Sequence, residues 1–250
     1  MNALRFLVIS FLFLSFYSFA YGNSSKLKVG FGFGNSEPYT IKKGETLVGG
    51  VLKDMMDELG KRIDKSVEYK IVPRKRHLQS AINGEVDTLC LYNPAWMENP
   101  EEVLWSKPLF KEKNIFIMNK KKKFSIKSLS DLKGKKVGTI RGYYYSPDLM
   151  KNFKNKTIER VDVTTLNQNF EKLEKSRIDA LIDSDILMAH YVKANNGKDK
   201  FDYGEMVESS HDLFCYFSKK TMSQSYEQVK NTLEKMRSEG FIDNAIKKYR

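Results

Sequence analysis

Apolar residues alternate with small or polar ones along Leu27-Lys-Val-Gly-Phe-Gly-Phe-Gly34, the two-residue period of a strand, and Asn35-Ser-Glu-Pro38 then supplies a turn. The period changes soon after. Val51, Leu52, Met55, Met56, Leu59 and Ile63 recur at helical spacing and predict an amphipathic helix. Residues 67–72 read as the next strand, ended by Pro73; residues 76–83 as a helix stopped at Gly84; residues 85–91 as a third strand. A β-α-β-α-β order predicts a parallel sheet with covering helices. Ligands of such sheets gather at the carboxyl ends of the strands, which singles out the loops at 36–39 and 92–96.

A second unit repeats the pattern without repeating the sequence. Strands are expected at 114–118, 136–140, 159–163 and 178–182, and helices at 147–153, 167–175 and 185–193, with a short capped turn at 130–134. A last strand at 213–217 and helices at 225–239 and 242–248 finish the chain.

Residues 1–22 stand apart from both units. Arg5 precedes an apolar run from Phe6 to Ala20, and Ala20-Tyr-Gly22 leads into polar residues, the layout of a secretory signal peptide cut near Gly22. The competing reading is a membrane anchor, but the run falls short of the ~20 residues a spanning helix needs. No cysteine follows it, which argues against a lipoprotein. The expected location is periplasmic.

The 41% hydrophobic content, with 13 Tyr and 16 Phe, suits a folded core. The net charge is +12, and loss of Arg5 with the leader leaves about +11. The lysines are scattered, and the densest run, Lys120 to Lys123, has no interleaved aromatics, so no nucleic-acid partner is expected; a solvated basic face is the simpler account. His77, His190 and His211 match no ligand spacing, so neither metal nor cofactor is expected. The glycines of residues 30–34 open no helix and form no phosphate loop; close backbone packing explains them better. Export makes a disulfide between Cys90 and Cys215 an open alternative, but two buried free thiols are the expected state.

Several pieces then fall into one order: the Pro-Tyr corner at Tyr39, Leu47-Val-Gly-Gly50, Gly84-Glu-Val-Asp87, Trp105-Ser-Lys-Pro-Leu109, Leu129-Ser-Asp-Leu-Lys-Gly134, Arg177-Ile-Asp-Ala180 and Met236-Arg-Ser-Glu-Gly240. In order and spacing the chain resembles the family 3 extracellular solute-binding proteins, the polar amino-acid-binding proteins of ABC importers. The resemblance implies an α/β, type II periplasmic binding protein fold: two lobes, each a mostly parallel sheet flanked by helices, joined by crossing strands expected at 112–118 and 213–218. Lobe 1 would hold residues 23–113 and 217–250, lobe 2 residues 114–216. Such proteins close around a ligand by hinge bending.

The resemblance also implies two anchors for an amino acid, and both are altered. The carboxylate-binding arginine would fall at position 99, which is Asn99. The ammonium-binding aspartate would fall at Ser184, with Asp183 and Asp185 on either side. Pro73-Arg-Lys-Arg76 resembles a subgroup in which Arg76 would point into the cleft and hold an anion; a surface role like that of Arg74 and Lys75 is the alternative. Tyr39 and Trp96, on strand-end loops, are expected to touch ligand or cap the core. Arg141-Gly-Tyr-Tyr-Tyr-Ser146 lies between a strand and a helix, so its N–H groups suit a carboxylate, with Tyr143 and Ser146 as side-chain contributors, unless the tyrosines serve interlobe packing.

The expected function is a non-enzymatic, monomeric receptor for a small polar solute, serving an ABC permease or a membrane sensor. Two alternatives stay open. One is a periplasmic enzyme resembling cyclohexadienyl dehydratase, with Glu37 or Asp183 as general acid. The other is a remnant that no longer binds ligand.

Overall fold

A computed structural model describes residues 26–32 and 36–250; the leader assigned at 1–22 lies outside the described residues. The strands are β1 (Leu27–Phe31), β2 (Ile41–Lys43), β3 (Thr46–Gly49), β4 (Val67–Ile71), β5 (Thr88–Tyr92), β6 (Leu104–Trp105), β7 (Phe110–Asn119), β8 (Lys136–Ile140), β9 (Glu159–Val163), β10 (Ala180–Ser184) and β11 (Phe201–Phe217). The helices are α1 (Val51–Arg62), α2 (His77–Ile82), α3 (Pro147–Lys154), α4 (Leu166–Glu174), α5 (Asp185–Ala194), α6 (Lys219–Met222), α7 (Tyr226–Ser238) and α8 (Phe241–Tyr249).

Nine strands form one sheet in the order β4-β1-β5-β11-β7-β10-β8-β9, with β6 also on β11. Its two ends are parallel: β4, β1 and β5 at one end, β10, β8 and β9 at the other. The antiparallel pair β7 and β11 joins them, paired from Leu213 opposite Phe110 to Phe201 opposite Asn119. The apolar faces that set the helical and strand periods become separate cores. Val29, Met55, Met56, Leu59, Leu233 and Ile242 are buried at the β1 end, and Phe116, Leu132, Val137, Leu149 and Ile182 at the β8 end.

The hairpin β2–β3, the short strand β6 and the one-turn helix α6 were not expected, and two further differences bear on the site. The strand expected at 213–217 is the tail of a 17-residue strand, β11, whose first part carries register shifts between Tyr203 and Val207 and between Val207 and Ser209. A bulge breaks the two-residue alternation, so the segment does not read as a strand. The second correction concerns the cysteines, which form a disulfide. β5 and β11 are antiparallel neighbours and set Cys215 opposite Cys90, a contact that only tertiary pairing creates.

Close backbone approach accounts for the glycines near β1. A Cβ on Gly32 would lie 2.4 Å from His77 Nε2, and one on Gly30 would lie 2.8 Å from Leu89 Cγ. Gly32 thus makes room for the buried His77 ring.

Candidate functional site

The carboxyl ends of β1, β5, β8 and β10 converge where β7 and β11 cross between the two ends of the sheet. A cavity of about 740 Å³ opens there. Tyr39, Tyr92 and Trp96 line it from one side, and Tyr143, Ser146, Asp183 and Ser184 from the other. Glu112 and Asn114 of β7 and Ser209 and His211 of β11 supply the wall between. Placement at strand ends follows from the parallel order of each end of the sheet.

Of the eight residues singled out from the sequence, six line this cavity: Tyr39, Trp96, Tyr143, Ser146, Asp183 and Ser184. Arg76 does not. It ends a single 3-10 turn, Arg74–Arg76, and its exposed guanidinium lies 3.4 Å from Glu85 on the surface. Arg74, two residues earlier on that turn, reaches the cavity mouth instead. Arg141 is also outside; it lines a separate surface pocket with Asp162, Lys172 and Arg177. Asn99 is exposed, precedes the short turn Pro100–Glu102 and does not line the cavity.

The polar wall is organised around carboxyls that the sequence analysis largely missed. The Tyr39 hydroxyl donates to half-buried Glu112, and its oxygen is 3.5 Å from Ser184 Oγ. Burial pushes the Glu112 carboxyl up and the Tyr39 hydroxyl well up, the latter further because Glu112 is adjacent. Asp183 is the penultimate residue of β10, with only 5% of its surface exposed. Its Oδ1 accepts the Ser184 N–H at 2.8 Å. Burial, opposed by that bond and reinforced by Glu112, raises its pKa to about 7.

Deeper in the wall, buried Glu208 accepts the Ser146 N–H at 2.8 Å and the Ser209 hydroxyl at 2.6 Å. Asn114 Nδ2 donates to Ser209 Oγ at 2.9 Å. One signal was available for Glu112, because a crossing strand expected from residue 112 starts at the cleft. Glu208 had none, since its placement depends on a bulge.

Aromatic groups complete the walls. Tyr92 stands edge-on to Tyr216, and burial raises its hydroxyl to about 12. Trp96, half in solvent, meets His211 edge-on with ring centroids 5.6 Å apart. Burial raises the Tyr143 hydroxyl, which Arg74 opposes by charge and a hydrogen bond. Leu91 in β5 holds φ at 69°, the left-handed region, opposite the irregularity between Phe214 and Cys215. Such a conformation costs a β-branched or γ-branched side chain about 1–2 kcal/mol, and the adjacent disulfide holds both strands in place.

Two parallel-ended sheet regions, two crossing strands and one ligand-sized cavity between them define a type II periplasmic binding protein. The chain matches the family described as bacterial extracellular solute-binding proteins, family 3, across residues 27–250, and belongs to it. Among curated relatives it is similar to the probable amino-acid-binding protein YxeM of Bacillus subtilis, at 24% identity over 86% of this chain and 81% of that protein. It is also similar to a probable histidine-binding protein of Campylobacter jejuni, at 22% identity over the same shares. Among solved structures, the ancestral cationic amino acid solute-binding protein AncCDT-1 superimposes with a TM-score of 0.73 at 19% identity, covering 90% of this chain and 95% of that one. The chain is a solute-binding protein by family.

Proposed function

We propose that this protein is an exported, periplasmic receptor that takes up a small polar solute in the cavity between the two ends of its sheet and presents it to an ABC permease or a membrane sensor. The observation that carries this reading is the cavity, lined from both sides and from both crossing strands by polar and aromatic groups. Tyr39, Trp96, Tyr143, Ser146, Asp183 and Ser184 are the proposed ligand contacts, joined by Glu112, Tyr92 and Ser209. The lobes are proposed to divide near residues 113 and 217, where the crossing strands leave the first core. Relatives with amino-acid-binding names support the solute class, and the family's extracellular character supports the location.

A thermal-shift screen of the leader-free protein against amino acids, amines, organic acids, sugars and peptide fragments tests the reading. A solute at a hundred times its Kd stabilises the native state by about 2.7 kcal/mol, a rise of roughly 5–10 °C for a chain of this size. Silence across the library would leave a remnant without ligand.

Asp183 favours one second reading. A buried carboxyl with a pKa near 7 on a cavity wall is what a general acid requires. A second structure of AncCDT-1, described as a precursor of cyclohexadienyl dehydratase, superimposes with a TM-score of 0.66. Glu37, the other acid singled out, is exposed and 3.6 Å from His190. Turnover of prephenate or arogenate, lost in Asp183→Asn, would establish the enzyme and displace the receptor.

A further inference from the structure

The hydrogen-bond polarity of the cavity narrows the solute class. His77 is buried, and its Nε2 lies 2.7 Å from the Val72 carbonyl oxygen, which only accepts. The ring proton therefore sits on Nε2, and Nδ1 is an acceptor. Burial lowers the His77 pKa, keeping the ring neutral. The Tyr92 hydroxyl accordingly donates to Nδ1, which leaves its oxygen lone pairs for the cavity. Tyr39 spends its proton on Glu112 and Ser209 spends its proton on Glu208. Asp183 Oδ2 has no protein partner among the described residues, although the side chain is 5% exposed. These groups, at the β5, β7, β10 and β11 walls, therefore face the cavity as acceptors, and two of them belong to carboxyls, while the donors of Arg74 and Trp96 lie at the exposed rim.

A ligand carboxylate meets the reverse situation. Its natural seat is the N–H at the start of α3, where the sequence analysis put one. Glu208 already fills that seat, its Oε1 2.8 Å from Ser146 N. Glu208 is the extra residue of the bulge between Val207 and Ser209, and a bulge re-aims the side chain it inserts. The chain has thus built its own carboxylate into the anion position. Among the described residues lining the cavity, Arg74 is the single arginine, and it stands exposed at the mouth.

We infer that the cavity selects an organic cation rich in N–H donors and free of carboxylate, an aliphatic amine, diamine or guanidine, with its charged head against Asp183 and Glu112. This rests on the receptor reading above. The cation supplies the donor that Asp183 Oδ2 lacks, and the faces of Tyr39, Tyr92, Trp96 and Tyr143 stabilise positive charge further.

Isothermal titration calorimetry at pH 8 on the leader-free protein tests this with pairs differing by a carboxylate alone: arginine and agmatine, ornithine and putrescine, lysine and cadaverine, histidine and histamine. Neutral sugars and dicarboxylates run alongside. At least one amine is expected to bind about tenfold more tightly than its amino acid. Glu208→Ala is expected to narrow that ratio by freeing the Ser146 N–H; if the variant does not fold, the wild-type ratio decides. An amino acid that outbinds its amine overturns the inference and leaves the receptor intact, as does a sugar or dicarboxylate ligand with every cation silent. Silence from all solutes overturns the inference and the receptor reading together.

Discussion

Two helices begin on the cavity wall, and their first turns are completed in different ways. At α3, Ser146 Oγ caps the Leu149 N–H at 3.3 Å and Glu208 takes the Ser146 N–H, so donors and carboxylate satisfy each other inside the protein. At α5, Ser184 Oγ caps the Ile186 N–H at 3.3 Å, but Asp183 beside it keeps one oxygen open. Both ends bury a carboxyl, and buried polar groups are normally paired. The α3 end is complete without ligand, whereas the α5 end is short of a donor. A receptor built this way discriminates through the end it leaves unfinished.

The sharpest way to break the comparison is Asp183→Asn, which keeps the side-chain shape and removes the charge. Losing a buried charge partner costs a cation on the order of a hundredfold in Kd, ~2.7 kcal/mol. The apo protein should melt at the same or a higher temperature at pH 8, because an ionised carboxylate with an open oxygen disfavours the native state. Calorimetry and a melting curve on one preparation give both numbers. Wild-type affinity in the variant would mean that the α5 end is no more open than the α3 end.

The next effect is read in pH without any substitution. Burial raises the Asp183 pKa from 3.8 to about 7, so the native state holds this proton where the unfolded chain has lost it. Its contribution to stability is fully present below pH 3.8 and is lost as pH rises through about 7, ~4 kcal/mol in all. Glu112, also raised by burial, acts in the same direction. The other charged or titrating groups around the cavity and the start of α5 include Arg74, His211, Glu208, Asp185 with its ion-pair partner Arg250, and the tyrosines. Apo stability should therefore fall between pH 5 and pH 8 in urea titrations. A bound cation favours the ionised form, so its stabilisation should grow over the same interval. Cation binding that weakens from pH 5 to pH 8 would remove Asp183 from the site.

How far these two ends could be read from sequence differs for a physical reason. The α5 end was legible through the resemblance: counting to the position of the ammonium anchor reached Ser184 with Asp183 beside it, and the Pro-Tyr corner located Tyr39, whereas the capping role of Ser184 Oγ emerged only in the structure. The α3 end was half legible: Ser146 before Pro147 marks a helix start, which suggested an anion seat. What fills that seat comes from residue 208, and its aim depends on how β11 slips against β7. Register shifts are decided by pairing across the sheet and leave no local period. The disulfide was hidden for the same reason, since only strand pairing sets Cys90 opposite Cys215. The parallel order of the two sheet ends, in contrast, followed from alternating strand and helix periods alone.

The smallest predicted effect separates two arginines that sequence reasoning ranked the wrong way round. Counting from Pro73 pointed to Arg76 as an anchor, but the 3-10 turn carries Arg76 out to Glu85 and leaves Arg74 at the mouth. Arg76→Ala should leave ligand affinity unchanged and cost stability well under about 1 kcal/mol, as expected for an exposed ion pair. Arg74→Ala removes a like charge from the path of a cation. Because that charge is exposed and screened, affinity should rise only about two- to threefold at low salt and less at physiological ionic strength. A ligand that instead loses affinity on removal of Arg74 carries an anionic group held at the mouth, which would give the cavity a second anchor after all, contributed by the turn before α2 and not by the filled end of α3.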